Sequence, residues 1–212
     1  YADEVVMTIA GSKLIAAKAG SGEADLQARA LQFKNYTFLK RGEKRSGFTV
    51  HRWVAALGSQ MALFPNLNTA DPEWKKLLRD VRFRRALSLG IDRHEINQVV
   101  YFGLGLEGGN SVLPNSTLFK PSYRTKWSSY NVKMANELLD QLGLDKRDSS
   151  DMRLMPDGRT LEIIVESADE ESDQADVLQL ITDSWRKLGI RLFTKPTRCE
   201  VLRRRATAGA TT

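Results

Sequence analysis

Apolar residues recur along this chain with two periods, and the places where each period holds set the expected elements. Residues 5–9, VVMTI, form a short apolar run that reads as a strand. Ser12 offers an N-cap for a helix through Ala19, which Gly20-Ser21-Gly22 stops. A second helical pattern covers residues 26–40, followed by a basic turn, RGEKRSG. Residues 48–56 and 61–67 alternate as strands, with Gly58-Ser59 turning between them. In the first of these, Trp53 shares a face with His51, Ala55 and Leu57, while Phe48, Val50 and Val54 take the more apolar side.

Asp71-Pro72 opens a short helix, DPEWKKLLRD, with Pro72 suited to the first helical position. Residues 80–105 read as two short helices meeting at a corner. Val81, Leu87, Leu89 and Ile91 line the first, blurred by Phe83, Arg84 and Arg85; Gly90 loosens its last turn. Asp92 caps the second, which carries Ile96, Val99 and Val100. Residues 103–130 are rich in Gly, Pro, Ser and Asn and form a long ordered loop. A helix at 133–142 follows, then a charged connection, DKRDSSD, and a hairpin over 153–164 around Pro156-Asp157-Gly158. The strand at 161–165 leads through an acidic loop into a helix at 173–188, and Gly189 ends that helix before a strand at 190–194. Strand, helix, strand in succession predicts a parallel βαβ unit and an α/β fold with helices flanking a mixed sheet.

The 212 residues are enough for a core, and 42% hydrophobic with 27% charged is ordinary for a globular protein. A net charge of +6 invites a nucleic-acid reading, but the basic residues mix with acids and lack interleaved aromatics. Solvated helix faces explain them better. One cysteine, Cys199, excludes an internal disulfide and fits either a cytosolic or a periplasmic protein. His51 and His94 have no metal-ligand spacing to a partner, and His94 reads as an exposed first-turn residue. No G-x-S-x-G elbow occurs, and the glycines at 103–109 neither follow a strand nor open a helix. No cofactor is implied, and an enzyme is not expected. Trp74 and Trp185 sit at helical spacing among apolar residues and are expected in the core.

The corner segment carries the most specific information. R-x-R-R-A-L-S-L-G-I-D-R-x-x-I-N-x-V-V-Y-x-G, from Arg82 to Gly103, resembles the signature of the dipeptide/oligopeptide class (family 5) of periplasmic solute-binding proteins. Further stretches are similar to the same family: Ser21-Gly22-Glu23-Ala24-Asp25, Asn66-Leu67-Asn68-Thr69, residues 130–139 with Gly143, and residues 178–193. Asn131 and Val132 stand where the family has Asp-Pro, so a weaker helix cap is expected there. The first-lobe pattern K-f-s-D-G-x-p-x-t-A is absent.

The resemblance implies one α/β lobe of a two-lobe, type II-like binding protein, spanning residues 1–212 and expected to be a piece of a longer chain. It implies capture of a peptide or related small solute between two lobes and delivery to an ABC permease in the inner membrane. The protein would then be periplasmic and monomeric, with no nucleic-acid partner. Nickel chelates, opines and some sugars are also carried within the family, and the sequence does not choose among them. The expected contacts are the amides of Asn66 and Asn68, the ring of Trp127 in the long loop, and Ser167, Asp169 and Glu170 where a strand meets a helix. In the family the matching strand-to-helix loop borders the ligand. Helix-dipole complementation explains Glu171 and Asp173. A basic nucleic-acid-binding module is the alternative, and a hydrolase using the acidic loop is a more distant one.

Overall fold

The computed structural model describes residues 3–53, 57–168, 172–208 and 210. It divides into two units, Tyr1–Ala55 and Ala56–Thr212.

In the smaller unit, α1 spans Ser12–Gly20 and α2 spans Tyr36–Ser46. Gly11, not Ser12, holds the N-cap of α1. A 3₁₀ turn, Phe33–Asn35, precedes α2, and the Gln32 and Asn35 side chains cap that turn reciprocally. The helix expected over 26–40 therefore starts later and continues through the supposed basic turn. Lys44 and Arg45 complement the carbonyl end of its dipole, and Gly47 ends it in a left-handed conformation (φ 74°). The Ser46 hydroxyl donates to the Gly20 carbonyl at 2.9 Å, tying α1 to α2 over the buried Ala16 and Leu39.

The expected strand at 5–9 is irregular backbone, with Val5, Val6, Met7 and Ile9 exposed. Residues 48–53 and 61–66 are irregular too, and 67–68 form a turn. Residues 54–56 lie outside the described residues. Trp53 is 80% exposed, as its place on the less apolar face suggested, while Met61 and Leu63 pack against the core of the larger unit. Alternation records which side of an extended segment is apolar; a strand also requires a neighbour to accept and donate its backbone bonds.

The larger unit begins with α3 (Pro72–Arg79), α4 (Val81–Leu89) and α5 (Arg93–Tyr101). Asp71, Asp80 and Asp92 cap them, each accepting a backbone N–H in the first turn. The inward face of α4 is Phe83, Ala86 and Leu87 at helical spacing, and Val81 is 43% exposed, so Phe83 is a core residue and Val81 is not. Trp74 meets Phe83 edge-on with centroids 6.3 Å apart. The short α6, Pro121–Thr125, interrupts the long loop, and α7 spans Val132–Asp140. Asn131 caps α7 through Met134 N–H, doing the work of the family's aspartate, and α7 packs on α4.

β1 (Glu162–Ser167), α8 (Ser172–Arg186) and β2 (Arg191–Pro196) form the expected parallel βαβ unit, with Glu162 opposite Arg191 and Ser167 opposite Pro196. The sheet among the described residues has these two strands, and antiparallel pairing is confined to bridges at Arg147–Arg153 and Leu154–Thr160. The hairpin at 153–164 is thus limited to its tip. A final helix, α9, covers Cys199–Thr207. Val177, Leu178, Ile181 and Trp185 of α8 are buried, and the Trp185 indole donates to the Leu87 carbonyl at 3.0 Å. Gly90 faces this contact. A Cβ there would stand 2.5 Å from Leu188 Cδ1 and 3.1 Å from Trp185 Cδ1, so a larger residue would have to displace the buried Leu188 side chain where α4 ends against α8.

One charge lies inside this core. Arg153 is 2% exposed, and its guanidinium donates to the Leu188 carbonyl (2.8 Å), Asp140 (2.6 Å), the Asn136 side chain (2.8 Å) and the Leu144 carbonyl. At the surface, Arg159 grips Asp71 with bonds of 2.7 and 3.2 Å and Asp157 at 2.6 Å, joining the α3 cap to the hairpin tip.

Arg153→Ala leaves three buried or half-buried acceptors and the exposed Asp140 carboxylate without their donor and is expected to destabilise the chain by about 3 kcal/mol, read from the urea midpoint. Arg153→Lys should recover only part of this, since an ammonium cannot reproduce the planar fork. The Arg159 guanidinium, with Trp74 N–H, lowers the Asp71 carboxyl from 3.8 to about 2. Because the folded value lies below the unfolded one, this pairing is fully present above about pH 4 and is lost as pH falls through about 2. Acid titration of stability should therefore be shallower across that window in Asp71→Asn than in the wild type.

Candidate functional site

Ligands of open α/β sheets sit beyond the carboxyl ends of the strands. Because β1 and β2 are parallel, both carboxyl ends meet at one edge, where Ser167 stands opposite Pro196. The chain leaves this edge twice, once toward α8 and once toward α9. Thr197 N–H donates to the Ser167 carbonyl at 2.8 Å, which joins the two exits. The Glu166 carboxylate is bonded by Arg205 of α9 and has Lys195 Nζ at 3.7 Å. The Arg205 guanidinium, with Lys195, holds that carboxyl below its ordinary value against the opposing effect of burial.

Asp173 lies in the first turn of α8, as expected, and suits the positive end of its dipole. Burial, with the charge of Asp173, pushes the Tyr101 hydroxyl up, so the end of α5 reaches the same helix turn. The end of the corner segment thus lies against α8, a neighbourhood that periodicity does not reveal.

The expected contact residues fall on separate supports. Ser167 is at the strand edge. Asp169 and Glu170, like Glu171, lie outside the described residues. Asn66 and Asn68 form a turn: Asn68 N–H donates to Asn66 Oδ1 at 3.0 Å, and Asn68 Oδ1 accepts from Arg79 Nη2 at 3.0 Å. Arg79 Nε also donates to the Leu67 carbonyl at 2.8 Å, so the last residue of α3 shapes this turn. Trp127 has left-handed backbone (φ 61°) and presents its ring to Arg85, whose guanidinium carbon lies 4.4 Å from the ring centroid. Its carbonyl accepts from the Ser88 hydroxyl at 2.7 Å.

The loop containing Trp127 is held by residues that sequence reasoning passed over. Arg93 Nη1 donates to the Ser88 and Ser128 carbonyls at 2.8 and 3.0 Å, and its Nη2 donates to the Ser88 hydroxyl at 2.9 Å. Burial lowers the affinity of this guanidinium for its proton. Asn97 is buried and exchanges two bonds with Gly105, while its amide also donates to Glu107 at 3.2 Å. His94 Nδ1 lies 3.0 Å from the same Glu107 oxygen. Asn97 and His94 together keep the Glu107 carboxyl below its ordinary value. Nothing local marks Arg93 or Asn97 as buried; one Arg93 partner is 35 residues away. Among the described residues, no group of three or more His, Cys, Asp or Glu side chains is placed to hold a metal ion.

Comparison with known proteins agrees with the fold. A structure of the oligopeptide-binding protein OppA superposes with a TM-score of 0.76 and 32% identity, covering 96% of this chain and 32% of that one. A probable ABC transporter-binding protein of Deinococcus radiodurans is 26% identical over 151 residues, which is 71% of this chain and 25% of that protein. The dipeptide-binding protein of Escherichia coli is 27% identical over 117 residues, 55% of this chain and 20% of that protein. The chain therefore spans a fifth to a third of the length of these relatives. The model of bacterial extracellular solute-binding proteins, family 5 middle segment, matches residues 1–209, and the chain belongs to that family.

Proposed function

We propose that this chain is part of the extracytoplasmic solute-binding component of an ABC importer, which captures a peptide or related small solute between two lobes and delivers it to an inner-membrane permease. The family match over residues 1–209 carries this reading, and the likeness to OppA at 32% identity favours a peptide among the family's solutes. Capture by closure requires that the solute touch both lobes, so that it binds the closed state better than the open one. On this side of the cleft the solute meets the carboxyl edge of β1 and β2. Ser167 supplies a hydroxyl and backbone groups there, and Asp169 and Glu170, next in sequence, supply charge for an amine or other cation. Asn66, Asn68 and Trp127 contribute as preset parts of the wall.

The protein works by binding without turnover and acts as a periplasmic monomer. Pairing of arginines 82, 159, 191 and 205 with Asp80, Asp71, Glu162 and Glu166 supports reading basic residues as parts of the frame and surface and not as a nucleic-acid groove. Native mass spectrometry of the full-length gene product, purified from its own periplasm without denaturation, tests the reading. A peptide-sized adduct released on mild activation is expected. Copurified nucleic acid or a covalent acyl adduct would overturn it.

A further inference from the structure

Glu166 is the penultimate residue of β1, immediately before Ser167. The pleat turns it away from the core-facing Ile163 and Val165, onto the face where Glu162 and Arg191 form an open ion pair at 2.6 Å. Those two side chains are each 38% exposed, whereas the Glu166 side chain is only 5% exposed. The difference is α9. Arg205 reaches back 39 residues and donates from Nε at 2.9 Å and from Nη2 at 2.7 Å to the two carboxylate oxygens, a two-bond fork. The same Nη2 donates to the Ala210 carbonyl at 2.8 Å, fixing the guanidinium from behind. The strand end is therefore gripped twice, through its side chain by α9 and through the Ser167 carbonyl by Thr197.

We propose that Arg205 is a positioning residue of the solute edge: by clamping Glu166 it seats α9 on β1 and fixes Ser167 before a solute arrives. The inference rests on the reading that the solute meets this edge. A carboxylate so covered must keep its partner, because an unpaired buried charge is far costlier than either paired group. A fixed edge spares the solute the cost of ordering it, and the gain appears as slower dissociation.

Hydrogen exchange and pentaalanine binding, measured on the full-length gene product, separate the possibilities. Two variants are used: Glu166→Gln keeps shape and loses charge, and Arg205→Lys keeps charge and loses the fork. Both are expected to speed exchange of the Thr197 amide and of residues 162–168 while leaving α4 and α7 protected. Both should weaken pentaalanine binding about 3- to 30-fold, chiefly through faster dissociation. Unchanged exchange in both variants overturns the clamp. Faster exchange with undiminished peptide affinity also overturns it, leaving the pair merely structural. If the wild type binds no pentaalanine, the peptide reading fails, and the exchange measurement alone decides for or against a clamped edge.

Discussion

A guanidinium buried among leucines sets the geometry of the larger unit. Arg153 bonds to the backbone of Leu144, Leu161 and Leu188, all fully buried, and is tolerated there because carbonyls and side chains from three segments converge on it. Its backbone joins in: Arg153 N–H donates to Gly189 O at 2.7 Å, and Leu161 N–H donates to Arg153 O at 2.7 Å. A buried cation with assigned acceptors adds directional demands to apolar packing, because each bond lost leaves a buried group unpaired. The end of α7, the approach to β1 and the junction of α8 with β2 are therefore fixed together. The carboxyl edge of β1 and β2 inherits its position from that junction.

The segment that identifies the family works in the same structural way. Asp80 and Asp92 cap helices, Gly90 admits Leu188 and Trp185, Ser88 and Arg93 hold the carbonyls of Trp127 and Ser128, and Asn97 closes the loop at Gly105. The caps admit other small polar residues, but the close approach at Gly90 and the forked cation of Arg93 are harder to exchange for their chemical neighbours. The string is recognisable because the corner is demanding, and the roles its residues play are structural.

This explains what could be read from the chain. Helices with an acidic or amide cap and a clear stop, at Asp71, Asp80, Asp92 and Asn131, were legible close to their true bounds, as was the βαβ unit around α8. Residues 5–9, 48–53 and 61–66 differ from the expectation of strands because apolar runs and alternation do not supply a pairing neighbour. The helix α2 was displaced because its start depends on the Gln32–Asn35 exchange, which no common capping pattern announces. Interactions between distant residues were invisible: Arg79 on Asn68, Arg85 on Trp127, and Arg205 on Glu166 each convert a side chain that looked free in sequence into part of the frame.

The last of these bears on how specificity is arranged. Glu166 lies beside the proposed contact residues, yet its charge is answered within the fold by Arg205 and Lys195. If the solute meets this edge as proposed, any attraction for a cationic group falls to Asp169 and Glu170, two and three positions after Ser167 in sequence. Scaffold and selectivity would then be carried by neighbouring but separate residues, the clamp fixing Ser167 and the acids after it setting what the edge favours. A change at Asp169 or Glu170 would then leave the Glu166–Arg205 pair and the Arg153 hub of this chain intact.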